Sequence, residues 1–305
     1  MNCIQVIVNA DDFGMSRGIT NGILLTYRFG ILTSTSLMVN QPASEYAVEQ
    51  LGAEEGLGVG VHLNICSGRP ILPPPQVGTL VDSRGEFHNP SVLIQKLWRF
   101  QVSSNEVEAE FRAQIQWMKS RGLQPDHADS HQHMHLYPAA IRPFARAVAL
   151  EGIKCVRAPR CTLWPRRIAA GGPHDGPISR RLLVQAYRAS LQFAALRGFA
   201  MPHSRIGFSD HKHDHRDHSD IGQLWASTMD ALPPGNFELA CHPGISERGF
   251  SDHDRISGQR EKELRSLTDS SLRQAVERNG IRLICYSDLA KCHATKNTTP
   301  EAQAA

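Results

Sequence analysis

LGVGVHLN, residues 57–64, holds two patterns at once: in an extended strand Val59, Val61 and Leu63 share one face, and Gly58, Gly60, His62 and Asn64 share the other. One face is greasy; the other is small or polar. FELACH (237–242) repeats the division, with Phe237, Leu239 and Cys241 opposite Glu238, Ala240 and His242. CIQVIVN (3–9), running on into NADD, sets Ile4, Val6 and Val8 against Gln5, Asn9 and Asp11. A sheet covered by helices on both sides would be apolar on both faces. Strands that turn greasy sides to outer helices and polar sides inward suit a barrel. The reading is therefore α/β, a single-domain irregular (β/α) barrel over 1–293, with active groups at the C-terminal strand ends.

The remaining strands are expected over 126–133, 153–158 and 281–287, and helices near 18–28, 43–52, 105–121, 139–151, 179–197, 220–231 and 259–279. This alternation implies a parallel sheet with helical crossovers. The clearest helix is 105–121, with Asn105 as N-cap, Glu108 after it, Val107, Phe111, Ile115 and Met118 on one face, and Gly122 as terminator. Two insertions interrupt the pattern: a Pro-rich stretch at 70–77, and 161–219, which has the length to act as a lid. Residues 294–305 read as a disordered tail.

Composition narrows the function. The chain has 305 residues, 41% hydrophobic and 21% charged, with a net charge of +3 and no basic stripe. Nucleic acid is not the expected partner. No window approaches the roughly 18 apolar residues of a membrane span. The N-terminus enters a strand directly, so no signal peptide is read there. The seven cysteines are scattered without a Cys-x-x-Cys pair, against a disulfide framework and toward a cytoplasmic location. Cys3, Cys241 and Cys285 fall in expected strands, as small hydrophobes. The fifteen histidines point to metal or proton chemistry.

Four strand ends carry that chemistry. Asp12, His62 and His131, from different strands, form a three-point site for a divalent ion with open positions for water and substrate. In DHADSHQHMH (126–135) the odd positions His127, Asp129, His131, His133 and His135 would line one face if the strand stayed extended. His131 lies nearest the strand end and is the preferred ligand. Asp129, His133 and His135 are then neighbours of the ion or of substrate, and the choice among the three histidines stays open. His242, before a Pro-Gly turn, is either a general acid or a fixture of that turn. Arg157 either meets substrate or pairs with a barrel carboxylate. DHKHDHRDH (210–218) reads as a solvated loop. The kinase-like DFG at 12–14 has no Gly-rich lobe upstream and is incidental.

NADDFGMS, GVHLN, DSHQHMH and FELACHPG, in this order, resemble the YdjC-like carbohydrate deacetylases, the group of the ChbG and HpnK proteins. GILTSTSLMVN (30–40) and REKELRSLTD…GIRLICYSDL (260–289) extend the resemblance over about residues 3–290. The resemblance implies a polysaccharide-deacetylase-like barrel that removes N-acetyl groups from sugars with a divalent metal, Mg or Zn, with Mn and Co as alternatives. It implies Asp12, His62 and His131 as metal ligands, Asp11 as general base and His242 as acid. The expected partner is an N-acetylated sugar, with room for a homodimer. A non-haem oxygenase also uses two histidines and a carboxylate, and a non-catalytic sugar- or metal-binding protein is the third class. The oxygenase usually sits on a double-stranded β-helix, which an α/β pattern lacks.

Overall fold

β1 (Ile4–Phe13) is the strand around which the molecule is arranged, and all but its first residue are buried. In the computed structural model, which describes residues 3–159, 189–207, 221–247 and 256–297, it pairs in parallel with three strands. β7 (Gly235–Cys241) covers one edge from Ile4 to Ala10. The other edge is shared: β8 (Arg282–Leu283) takes Gln5 and Val6, and β2 (Ser34–Leu37) takes Asn9 onward. The path continues through β3 (Gly58–Leu63), β4 (His127–Ser130) and β5 (Cys155–Val156) on the β2 side, and β6 (Ser204–Gly207) beyond β7.

Every pairing among these strands is parallel. Ala200, just before β6, bridges Cys155 of β5, and Val156 N donates to its carbonyl. The 200–207 segment thus meets both edges of the sheet and closes it into an irregular barrel.

The two faces divide as the period of two requires. Val6, Val8, Ala10, Val61, Leu63 and Leu239 pack outward in the main core, with α1 (Arg17–Phe29), α2 (Ser44–Leu51), α3 (Pro90–Trp98), α4 (Ser104–Lys119), α5 (Pro138–Leu150) and α6 (Ile221–Ala231) around it. α7 (Ser257–Thr268), α8 (Ser270–Arg278) and α9 (Tyr286–Asn297) follow among the described residues. Inside, Ile7, Cys155, Ala200, Ile284, Tyr286 and Leu289 form a small apolar plug, above which the lining is polar.

Gly60 on that inner face is dictated by contact. A β carbon there would lie 2.3–2.5 Å from three atoms of the His127 ring. Gly60→Ala is expected to cost about 1–3 kcal/mol through overpacking. The check is a lower urea midpoint at unchanged m.

Some expected elements move. α4 starts two residues early, because Ser103 accepts from Glu106 N and is the N-cap, not Asn105; Glu106 stands where Glu108 was expected. The helix near 259–279 is two helices, broken at Asp269, whose carboxylate caps Ser271. The strand expected over 281–287 ends at Leu283, and Tyr286 opens α9, so Cys285 lies between elements; Cys3 precedes β1. The short strand STSL (β2) and the helix α3 were not expected. Ser204–Gly207, inside the stretch read as an insertion, is a barrel strand, while the 210–218 histidine cluster and all of 161–188 lie outside the described residues. Helix α9 runs through Asn297, into the stretch read as tail.

Candidate active site

The adjacent carboxylates of NADD should face opposite ways in a regular strand. They do not, because β1 is irregular here: Ala10 pairs with Thr35 but Phe13 pairs with Leu37, so three steps on β1 match two on β2. Asp12 absorbs the extra residue with φ 68, the left-handed region that aspartate tolerates better than most side chains. The bulge turns Asp12 toward the mouth of the barrel, where Asp11 already points. Strain of this kind, about 1 kcal/mol, is typically held at functional sites.

Around Asp12 the three expected donors converge. Its Oδ1 lies 3.0 Å from His131 Nδ1 and 3.5 Å from His62 Nε2, and ligand atoms of the three residues all fall within 4.8 Å of one another. The rings of His62 and His131 meet edge to face at 5.5 Å. Arg260 Nη2 donates to the other oxygen, Asp12 Oδ2, at 2.7 Å. Asp12 and His62 are buried; His131 is 12% and His242 15% exposed, so the site opens on their side.

Beneath lies a charge cluster on one guanidinium. Arg157 Nη1 reaches Asp11 Oδ2 and Asp129 Oδ2, both at 2.7 Å, and its Nε and Nη2 meet Glu238 Oε1 at 2.8 and 2.7 Å. Its second contact with Asp11, through Nη2, makes that pair bidentate. Arg157 therefore pairs with barrel carboxylates. Burial raises the Asp11 pKa, but the Arg157 charge outweighs it and holds the carboxyl well below its usual range. Asp12 is likewise lowered against burial, by Arg260 and His131. A second donor group, Asp11, His62 and Asp129, also lies within 4.8 Å, but Arg157 already bridges its two carboxylates in the place a cation would take.

The site suits a divalent cation. The four carboxylates joined to Arg157 and Arg260 (Asp11, Asp129, Glu238 and Asp12) exceed these two guanidiniums by two charges. His62 registers the deficit: burial lowers its pKa, yet Asp129 with Asp12 and Asp11 pushes it up to about 10. Two imidazoles and a carboxylate with room on one side are the donor set of an open metal site.

The segment after β4 is not an extended strand. His131–Leu136 is a tight turn in which Gln132 (φ 50) and His133 (φ 54) are left-handed, so His131, His133 and His135 do not share one face. His135 is buried, bonded through Nδ1 to Ser130 Oγ and stacked 4.4 Å from Phe144. Burial pulls its pKa down to about 3, and that of His133 well below normal. Each keeps one buried ring nitrogen without a partner in the structure.

His242 follows β7 directly, with Nε2 3.8 Å from Asp11 Oδ2. Its backbone is clamped by α7: the Glu263 carboxylate accepts its N–H, and Arg260 Nη1 donates to its carbonyl at 3.4 Å. Gly22 of α1 lets this loop close in, since a β carbon there would lie 2.5 Å from Gly244 Cα.

The model of the YdjC-like protein family matches residues 5–278. This chain belongs to the YdjC-like family. A carbohydrate deacetylase of Halalkalibacterium halodurans is 42% identical over 279 residues, spanning 90% of this chain and 99% of that one. A chitooligosaccharide deacetylase of Proteus mirabilis is 31% identical over 299 residues, 93% and 98% of the two chains. A solved Enterococcus faecalis V583 protein, described as a candidate cellobiose-phosphate cleavage protein, superposes with TM-score 0.74 at 24% identity over 94% of this chain and 99% of its own. That likeness establishes the fold. Within the YdjC-like fold, sequence reading had missed Arg260, Glu263 and Glu238. Glu238 left a signal, a glutamate on the inner face of FELACH; Arg260 and Glu263 look like any solvated helix face in SGQREKELRSLT.

Proposed function

We propose that this protein is a metal-dependent hydrolase that removes the N-acetyl group from an N-acetylated sugar or oligosaccharide. The observation that carries the proposal is the convergence of Asp12, His62 and His131 at the open mouth, with Asp11 and His242 beside them. Membership of the YdjC-like family and the names of its curated relatives support the substrate class. Among the described residues no helix is long and apolar enough to cross a membrane.

Asp12, His62 and His131 would hold the ion. Two imidazoles favour zinc, or manganese or cobalt in its place, over magnesium. Bound there, such an ion supplies a Lewis acid and lowers the pKa of water. Asp11 is kept ionised by Arg157 and so can accept the proton of the attacking water. Its place beside His242 sets base and acid on one side of the site. His242 Nε2 would give a proton to the departing amine, leaving acetate and a free amino sugar. Asp129 fixes the imidazole of His62 from behind, through Nδ1 at 2.7 Å.

The direct test is acetate release across a panel of N-acetylated mono- and oligosaccharides. Acetate from at least one of them is expected; none from any would overturn the proposal and leave a binding role.

A further inference from the structure

The hydrogen bond from Asp129 to His62 is the visible end of a longer chain. Asp129 Oδ2, besides meeting Arg157, accepts from Ser36 Oγ at 3.1 Å. Ser36 Oγ accepts from Asn9 Nδ2 at 2.9 Å and lies 3.0 Å from His127 Nε2. His127 Nδ1 lies 2.6 Å from Asp126 Oδ1. The chain therefore runs inside the barrel from His62 at its mouth to Asp126, just before β4, whose side chain is 15% exposed.

The His127 ring is held on both sides. Tyr286 stacks on it at 3.8 Å and 15°, and Gly60 approaches so closely that no β carbon fits. Gly58 does the same for the other partner, since a β carbon there would lie 2.9 Å from Asp126 Oδ2. The two glycines of LGVGVHLN thus make room for the Asp126–His127 pair.

Asp126, His127 and Ser36 are the residue types of a hydrolytic triad, and their contacts have its order. Ser36 is nevertheless fully buried and engaged by Asn9 and Asp129, so no substrate carbonyl can reach it. The chemistry left to the chain is orientation. Arg157 draws Asp129 toward a cluster it shares with Asp11 and Glu238. Ser36 anchors the same carboxylate from the β2 side, and His127 fixes Ser36. A ligating imidazole presents the right nitrogen only if the partner of its other nitrogen stays fixed.

We propose that His127 is a positioning residue of the metal centre, acting through Ser36 and Asp129 on the imidazole of His62. This rests on the metal-site reading above, and the test separates the two. Wild type, Ser36→Ala, His127→Phe and the double variant are titrated with Co(II), following affinity by calorimetry and the visible d–d absorption. Thermal unfolding of the metal-free proteins checks that each is folded.

Each single variant is expected to bind cobalt about tenfold or more weakly, with a shifted spectrum. The double variant is expected to be no worse than the weaker single one, because one chain is cut twice. Should His127→Phe fail to fold, Asp126→Ala, at the partly exposed end, takes its place. Cobalt uptake by wild type with unchanged affinity and spectrum in the variants would overturn the relay alone, as would losses that multiply in the double variant. No uptake by wild type would overturn the metal site, and the relay with it.

Discussion

Asp12→Ala is expected to give a folded chain that retains no stoichiometric metal and releases no acetate. The carboxylate is the one anionic donor among three, and its Oδ1 faces both His131 and His62. Without it two imidazoles remain, too few to hold a divalent ion against water. Two structural costs accompany the loss. Arg260 gives up its 2.7 Å contact with Asp12 Oδ2, and alanine must take the left-handed backbone at φ 68. The second costs about 1 kcal/mol. Asp12→Asn keeps a side chain suited to that backbone and should be nearly as stable, still binding metal far less tightly than wild type. Metal analysis and acetate release on both variants make the comparison.

Asp11→Asn is expected to do the reverse: keep metal content and lose turnover by about 100-fold to 10,000-fold in kcat, the range for a general base. Asp11 is not among the three convergent donors, and its two oxygens are engaged by Arg157. The amide retains one acceptor for that guanidinium, which keeps Asp129 and Glu238 as partners. The substitution therefore removes the proton acceptor while leaving the ligand set in place. Equal metal loss in Asp11→Asn and Asp12→Ala would contradict this division of labour.

The barrel was legible because its strands alternate. Val59, Val61 and Leu63 pack outward while Gly60 and His62 line the interior, and FELACH and the first strand behave alike. Length limited the rest. STSL has four residues, all buried, too few for a period to register, and β6 lies inside a stretch that resembles an insertion. The helix start at Ser103 was hidden because Ser103–Glu106 and Asn105–Glu108 are equally good capping spacings.

The site divides the same way. Asp12, His62 and His131 could be found because each lies within a residue of a strand's end, and strand ends in a barrel converge. Arg260 and Glu263 could not, because a helix facing the mouth and a helix facing solvent share one composition. For Asp11 and Asp12 to serve one site the strand end must bend, but the device that bends it, the slip against β2, is not written in the spacing.

The central claim is that acetate release depends on an ion held by Asp12, His62 and His131. Its most direct test is the rate on one acetylated sugar before chelation, after it, and after adding back zinc, with bound metal measured at each stage. The rate is expected to fall with the metal and to return in full at one ion per chain. An undiminished rate in protein shown to be metal-free would contradict the account.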